Sequence, residues 1–316
     1  MFTRQKLSIA SLMLVTFSAL VTADSVYVTA FNLATGNQQF GTVDLGTGAF
    51  QEIRNAAGQD FRGLVPASNG SLLTLGFDGN LASINPVTGM PTVIGPTGLS
   101  DCSTPSSPCG PRSVSTFGAL GGTLYATDYS QNLYRVNPAT GAATLVGPTG
   151  IPAFPFPSHF TSNSDGTENV FTATLFPADG NLYATFDTNT VDPTSGDITP
   201  AILNNLYRID PNTAVATLVA PTIQAISAVT RVNGTDYAFN VGTQQLLTLN
   251  LASGGTSFVA NVSPGPMYVG GATPTPEPFS LALAGIGICT IAACRLRRRS
   301  RKPDSEVQSN ARVSSN

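Results

Sequence analysis

Asp187-Thr-Asn189-Thr-Val-Asp192, with Asp197 beyond it, sets oxygen ligands at short intervals, which is how a loop gathers a calcium ion. The pattern D-x-[DN]-x-[DN]-G fails at Val191, and neither the Gly nor the spaced Glu is in place. A solvated acidic turn is therefore expected; calcium at Asp187, Asn189 and Asp192 is the alternative, and no other metal is expected. Asp128 and Asp187 close two similar stretches, Leu-Tyr-Ala-Thr-Asp and Leu-Tyr-Ala-Thr-Phe-Asp, and read as one position of a repeat. Two carboxylates could serve glycoside hydrolysis. Recurrence in a repeat points instead to a structural role, and the chain has no Trp to stack on a sugar. His159 is the one histidine, so neither a Ser-His triad nor an imidazole metal centre is expected. It reads as an exposed loop residue. No catalytic residue and no cofactor are assigned.

Composition narrows the classes further. Only 10% of the 316 residues are charged, against about 25% in ordinary domains. With 41% hydrophobic residues, the chain can bury a full core, which argues against global disorder. Residues 24–275 hold six arginines, no lysine and fifteen acids, a formal charge of −9. A nucleic-acid partner needs a basic footprint, and none exists there.

The remaining basic residues sit at the two ends. Arg4 and Lys6 precede the apolar stretch 7–21, and Val21-Thr22-Ala23 fits a cleavage site. Residues 1–23 thus read as a secretory signal peptide cut between Ala23 and Asp24 by signal peptidase. An N-terminal anchor is the alternative. At the other end, Thr273-Pro-Thr-Pro-Glu-Pro278 precedes sixteen uncharged residues, 279–294. As a helix these span roughly 24 Å, short of the ~30 Å hydrocarbon core. Snorkelling arginines and local thinning make up the difference. Arg295, Arg297, Arg298, Arg299, Arg301 and Lys302 then form a stop-transfer cluster that stays cytoplasmic and leaves the body outside. Cys289 and Cys294 read as small residues of that helix rather than lipidation sites.

Pro276-Glu277-Pro278, a short apolar helix and an arginine cluster, in that order, resemble the PEP-CTERM sorting signal of Gram-negative bacteria. The resemblance covers about residues 273–302. It implies that an exosortase-type transpeptidase recognises the tripeptide and removes the helix. The implied product is held only transiently in the inner membrane and ends at the cell surface or in an exopolysaccharide or biofilm matrix. The polar tail 303–316 is longer than these signals carry, and is expected to be disordered and cytoplasmic. An unprocessed, permanently anchored structural protein is the alternative. In an exported chain, Cys102 and Cys109 are expected to close the Ser-Thr-Pro-Ser-Ser-Pro loop by a disulfide; a metal site would need further ligands.

These residues must be held by the body, residues 24–272, and the body repeats. Phe40-Gly-Thr-Val-Asp44-Leu-Gly-Thr-Gly48 is a first copy. Leu-x-x-Ile/Val/Leu-Asx-x-x-Thr/Ser-Gly recurs around Asn85, Asn137 and Asn250, and around Asp210 with Ala214 in place of the Gly. Asx-Pro opens a turn and the Gly supplies positive φ before a return strand. Turn chemistry accounts for Asp44, Asn85, Asn137, Asp210 and Asn250 without a ligand ring. A second hairpin signal lies upstream at Gly70, Gly122, Gly180 and Gly234. Asn69, Asn233 and Asn261 match glycosylation sequons but read as turns. The Asx positions are 41, 52, 73 and 40 residues apart, close to the 40–50 residues of a four-stranded propeller blade once insertions near 102–109, 150–168 and 188–203 are set aside. The strand candidate at 267–272 has no blade after it, whereas residues 26–30 lack a first strand. Pairing the two closes the ring. The expected fold is an all-β, five-bladed β-propeller closed by both ends, with an open sandwich or solenoid as the alternative. Tyr125, Tyr134, Tyr183, Tyr207 and Tyr237 recur in register and are expected to pack between blades.

The expected function is a non-enzymatic binding or structural module, exported, processed by an exosortase and presented at the surface, with extracellular polysaccharide a possible partner. The alternatives are an extracellular glycan hydrolase using Asp128 and Asp187, and the unprocessed anchored protein.

Overall fold

The computed structural model describes residues 24–275 apart from 33–36, 56–60, 100–111, 153–160, 163–167, 192–197, 201–203, 223 and 265–266. The signal peptide, the sorting signal from Pro276 on, the tail 303–316, Cys102, Cys109, His159 and Asp192 lie outside the described residues.

β-Prone Val, Tyr and Thr residues form β1 (Ser25–Asn32), which is followed by β2 (Asn37–Asp44) and β3 (Phe50–Asn55). A second sheet runs β4 (Phe61–Pro66), β5 (Leu72–Gly76), β6 (Asn80–Ile84), β7 (Pro91–Pro96). The third runs β8 (Val114–Leu120), β9 (Thr123–Asp128), β10 (Asn132–Val136), β11 (Ala143–Pro148). The fourth carries β12 (Thr161–Ser162), β13 (Glu168–Ala178), β14 (Asn181–Val191), β15 (Ile198–Pro200), β16 (Asn205–Ile209) and β17 (Ala216–Pro221). The fifth runs β18 (Ile226–Val232), β19 (Thr235–Asn240), β20 (Gln245–Leu249), β21 (Thr256–Asn261). Last comes β22 (Met267–Pro274), which pairs antiparallel with β1 and makes the first sheet β22-β1-β2-β3. Each sheet is a blade; its neighbouring strands are antiparallel and, apart from the pairs β22–β1 and β14–β16, follow one another along the chain.

The innermost strands β4, β8, β13, β18 and β22 neighbour one another in a closed circuit. The ring is thus closed by strands from both ends of the body, as expected. The closing pair extends to Val26 opposite Pro274 and Tyr27 opposite Thr273, two residues past the expected boundary at 272. Thr275 completes it: its Oγ1 donates to the Ser25 carbonyl at 2.8 Å. The centre is tight enough that a Cβ on Gly271 would overlap the Gly63 backbone of the next blade.

Apolar residues collect at the five blade boundaries. One cluster joins blades 1 and 5 through Val28, Phe239 and Leu246. Another joins blades 1 and 2 through Phe40, Phe61 and Ile84. The others join blades 2 and 3, 3 and 4, and 4 and 5. Each fully buried Leu, Ile or Phe contributes about 1.5–3 kcal/mol, so stability lies between blades rather than within any one. The five recurrent tyrosines sit in or against four of these clusters, between blades as their register implies.

Candidate functional site

The two ends of the ring differ. One carries the tight turns, β4–β5, β8–β9, β13–β14 and β18–β19 together with the inter-strand turns 44–49, 85–90, 137–142, 210–215 and 250–255. Asp24 and Thr275 lie at this turn face, where β1 starts and β22 ends. The opposite, loop face receives the connections between blades and those between second and third strands.

At the turn face the five repeats build one structure. Asp44 Oδ1 accepts the backbone N–H groups of Gly46 and Thr47 at 3.0 and 2.8 Å. Asn85 does so from Val87 and Thr88, Asn137 from Ala139 and Thr140, Asp210 from Asn212 and Thr213, and Asn250 from Ala252 and Ser253. The fifth residue of each turn donates its N–H back to the Asx carbonyl at 2.8 Å. These Asx side chains are turn caps, as their spacing predicts.

At the loop face two carboxylates are fully buried. Asp128 Oδ1 accepts from the Asn132 N–H at 2.8 Å, while Oδ2 accepts from Asn132 Nδ2 at 3.0 Å and the Tyr134 hydroxyl at 2.8 Å. Burial, reinforced by the Asp128 carboxylate, pushes the Tyr134 phenol up to about 12. Asp187 instead crosses to blade 5. Its Oδ2 accepts the Ile226 N–H at 2.8 Å, where β18 begins, and its Oδ1 accepts the Thr222 hydroxyl at 3.4 Å.

Two expectations are corrected here. Asp128 and Asp187 do not occupy equivalent positions. Leu133 faces Thr127 across β9–β10, whereas Leu206 faces Thr185 across β14–β16, which aligns Asp128 with Phe186 and leaves Asp187 one residue further. One residue along a strand is the opposite face, so the two acids do separate jobs. Nor does Asp187 begin a solvated turn: β13 and β14 run eleven residues each. Their surplus, 168–172 against 187–191, carries Asp187 and Asn189 on a strand. Short β12 and β15 pair alongside it. Among the described residues, no three His, Cys, Asp or Glu side chains gather around a common point.

The spacing in the sequence did not point to the groove on the turn face of blade 4. It has a volume of about 560 Å³ and is lined by Asn181, Arg208, Asp210, Thr213 and Thr217, among others. Blade 2 has its counterpart, about 390 Å³, with Ser71, Ser83, Asn85, Thr88 and Thr92 in the corresponding places. The chemistry differs: an arginine and a carboxylate in blade 4 stand where blade 2 has a serine and an amide.

Five sheets ranged around one axis, their inner strands in a closed circuit, define a five-bladed β-propeller. Among solved structures the chain is similar to a chain of a nidogen/laminin complex, at 12% identity over 80% of this chain and 98% of that one, with TM-score 0.45. It is similar also to a Bacteroides thetaiotaomicron protein of unknown function, at 16% identity over 74% of this chain and 55% of that one, with TM-score 0.45. A Xanthomonas campestris gluconolactonase matches at 13% identity over 75% of this chain and 70% of its own, with TM-score 0.36. No protein-family model and no curated protein matches the chain.

Proposed function

We propose that the chain is an exported binding module: a propeller released from its signal peptide at Ala23–Asp24, carried to the inner membrane by the segment 279–294, and cut at Pro276-Glu277-Pro278 by an exosortase-type transpeptidase for presentation at the cell surface or in an exopolysaccharide matrix. One observation carries this reading. The first and last strands of the ring, β1 from Ser25 and β22 to Pro274, end side by side immediately inside the two terminal segments. Both could therefore be removed without touching a blade. A binding role is favoured over hydrolysis because Asp128 and Asp187 are buried and engaged in hydrogen bonds that hold turns and blades together, which leaves no free acid–base pair between them.

The test is mass spectrometry of the surface form from a host with its own exosortase. The wild-type protein is expected to lack residues 279–316, the apolar run and everything after it. Glu277→Ala leaves the apolar run unchanged, so plain anchoring would survive it; processing is expected to stop, with full-length protein accumulating in the inner membrane. Recovery of 297–302 peptides still attached to wild-type surface protein would overturn the reading.

A further inference from the structure

Arg135 and Arg208 occupy the same position in blades 3 and 4: each is the fourth residue of an Asn-Leu-Tyr-Arg strand, opposite a tyrosine on one side and a threonine on the other. Arg135 is engaged. Its Nη2 reaches into the next blade and donates to the Pro211 carbonyl at 3.2 Å and to Asn212 Oδ1 at 3.0 Å. Among the described residues Arg208 makes no such bond, and blade 5 has Ala252 where blade 4 has Asn212. The ion pairs among the described residues are those of Arg231 with Asp179 and Asp236. Arg208 and Asp210 therefore face one groove without pairing.

Asp210 remains a carboxylate, since the Asn212 backbone N–H holds it below the usual range. Its Oδ1 accepts the Asn212 and Thr213 N–H groups of the turn, and the carboxylate lines the groove. Asn181 spends its amide nitrogen on the Asp179 carbonyl at 2.9 Å, which leaves the amide oxygen. The groove thus offers a planar donor fork, a carboxylate, an amide oxygen and the hydroxyl of Thr217, while the Thr213 hydroxyl is held on Asp210. Adjacent hydroxyls of a pyranose want this mixture of fixed donors and acceptors. A polyanion is the poorer fit, because the body carries a formal charge of −9 and would repel it.

We infer that the turn-face groove of blade 4 binds a neutral hexose-based glycan through Arg208, Asp210 and Asn181. The inference rests on the reading of the body as a binding module and adds the site and its ligand class to it. About 560 Å³ accommodates two or three sugar rings. The groove of blade 2 has only hydroxyls and an amide at these places and binds more weakly, lacking charge-assisted hydrogen bonds.

The two blades supply the test. Arg208→Ser with Asp210→Asn replaces the charged pair of the blade 4 groove by the serine and amide of blade 2, and Asn already caps this turn at positions 85, 137 and 250, so the fold is kept. Full-length protein in a zwitterionic detergent is titrated with cellotetraose, maltotetraose and tetragalacturonate, with saturation-transfer NMR as readout and thermal melting as the control. The expected result is binding of at least one neutral tetrasaccharide, weakened about tenfold or more by the double variant at unchanged melting temperature. Absence of neutral binding at 10 mM (roughly the limit of useful weak affinity), preference for the uronate, or equal binding by the double variant would each overturn the site. These outcomes read glycan contact alone, so they are independent of whether the sorting signal is cut.

Discussion

Tyr134 and Asp128 show how one residue pair acts on stability. The native state holds the Tyr134 proton up to a pKa of about 12, against an ordinary value of 10. The unfolded chain releases that proton first as pH rises. The stabilisation is thus complete below pH 10 and lost between pH 10 and about 12. Tyr134→Phe is expected to flatten the fall in melting temperature over that interval, and to cost about 1–2 kcal/mol at neutral pH by leaving Asp128 short of a donor. An unchanged alkaline slope would contradict the assignment. The turn caps give a second test at this scale. Asn250→Ala removes an acceptor shared by two N–H groups and should lower stability by about 1 kcal/mol. Asn250→Asp should be close to neutral, because Asp fills the same role at 44 and 210; chemical denaturation of the two variants decides it.

Each element that repeats also has to meet its neighbour. The fifth residue of the turn has positive φ in all five blades: Gly48, Gly89, Gly141, Gly254 and, without the glycine, Ala214 at +66°. A Cβ on Gly254 would overlap the Pro221 carbonyl of blade 4. Ala214 has room: even a Cβ added to its blade 3 neighbour Gly147 would lie 3.5 Å from the Ala214 methyl, an ordinary contact. Gly254→Ala is therefore expected to cost about 2 kcal/mol or more, with Ala214→Gly nearly neutral, as read by equilibrium unfolding. The turns were legible in the sequence because Asx, Thr/Ser and Gly act within six residues. The joints were not. Thr97 and Thr149 follow Gly-Pro in two outer strands, a recurrence plainly present in the sequence. Their carbonyls accept the Ala143 and Ala216 N–H groups of the next blade at 3.0 and 2.9 Å, partners that only the assembled ring identifies. The same holds for the offset between Asp128 and Asp187, where one extra residue, Phe186, reverses the face. Arg208 was invisible as a binding residue for a related reason: its distinction from Arg135 lies in Ala252, which belongs to another blade.

For the whole molecule, closure decides everything else, since it sets the two faces, places both grooves and brings Asp24 and Thr275 to the same end. The blade count was legible from the spacing of the Asx turns and from one strand left over at each end. The β12 and β15 strands of blade 4 were not, being two and three residues long and without alternation to read. Closure is tested most directly by joining its ends. Ser25 Oγ and Thr275 Oγ1 lie 3.2 Å apart, 250 residues apart in the chain. Ser25→Cys with Thr275→Cys, oxidised and analysed by mass spectrometry without reduction, should give a cross-linked peptide joining the two positions in nearly all molecules, with a raised melting temperature. An open sheet stack would leave the two cysteines unlinked, and that result would contradict the closed ring.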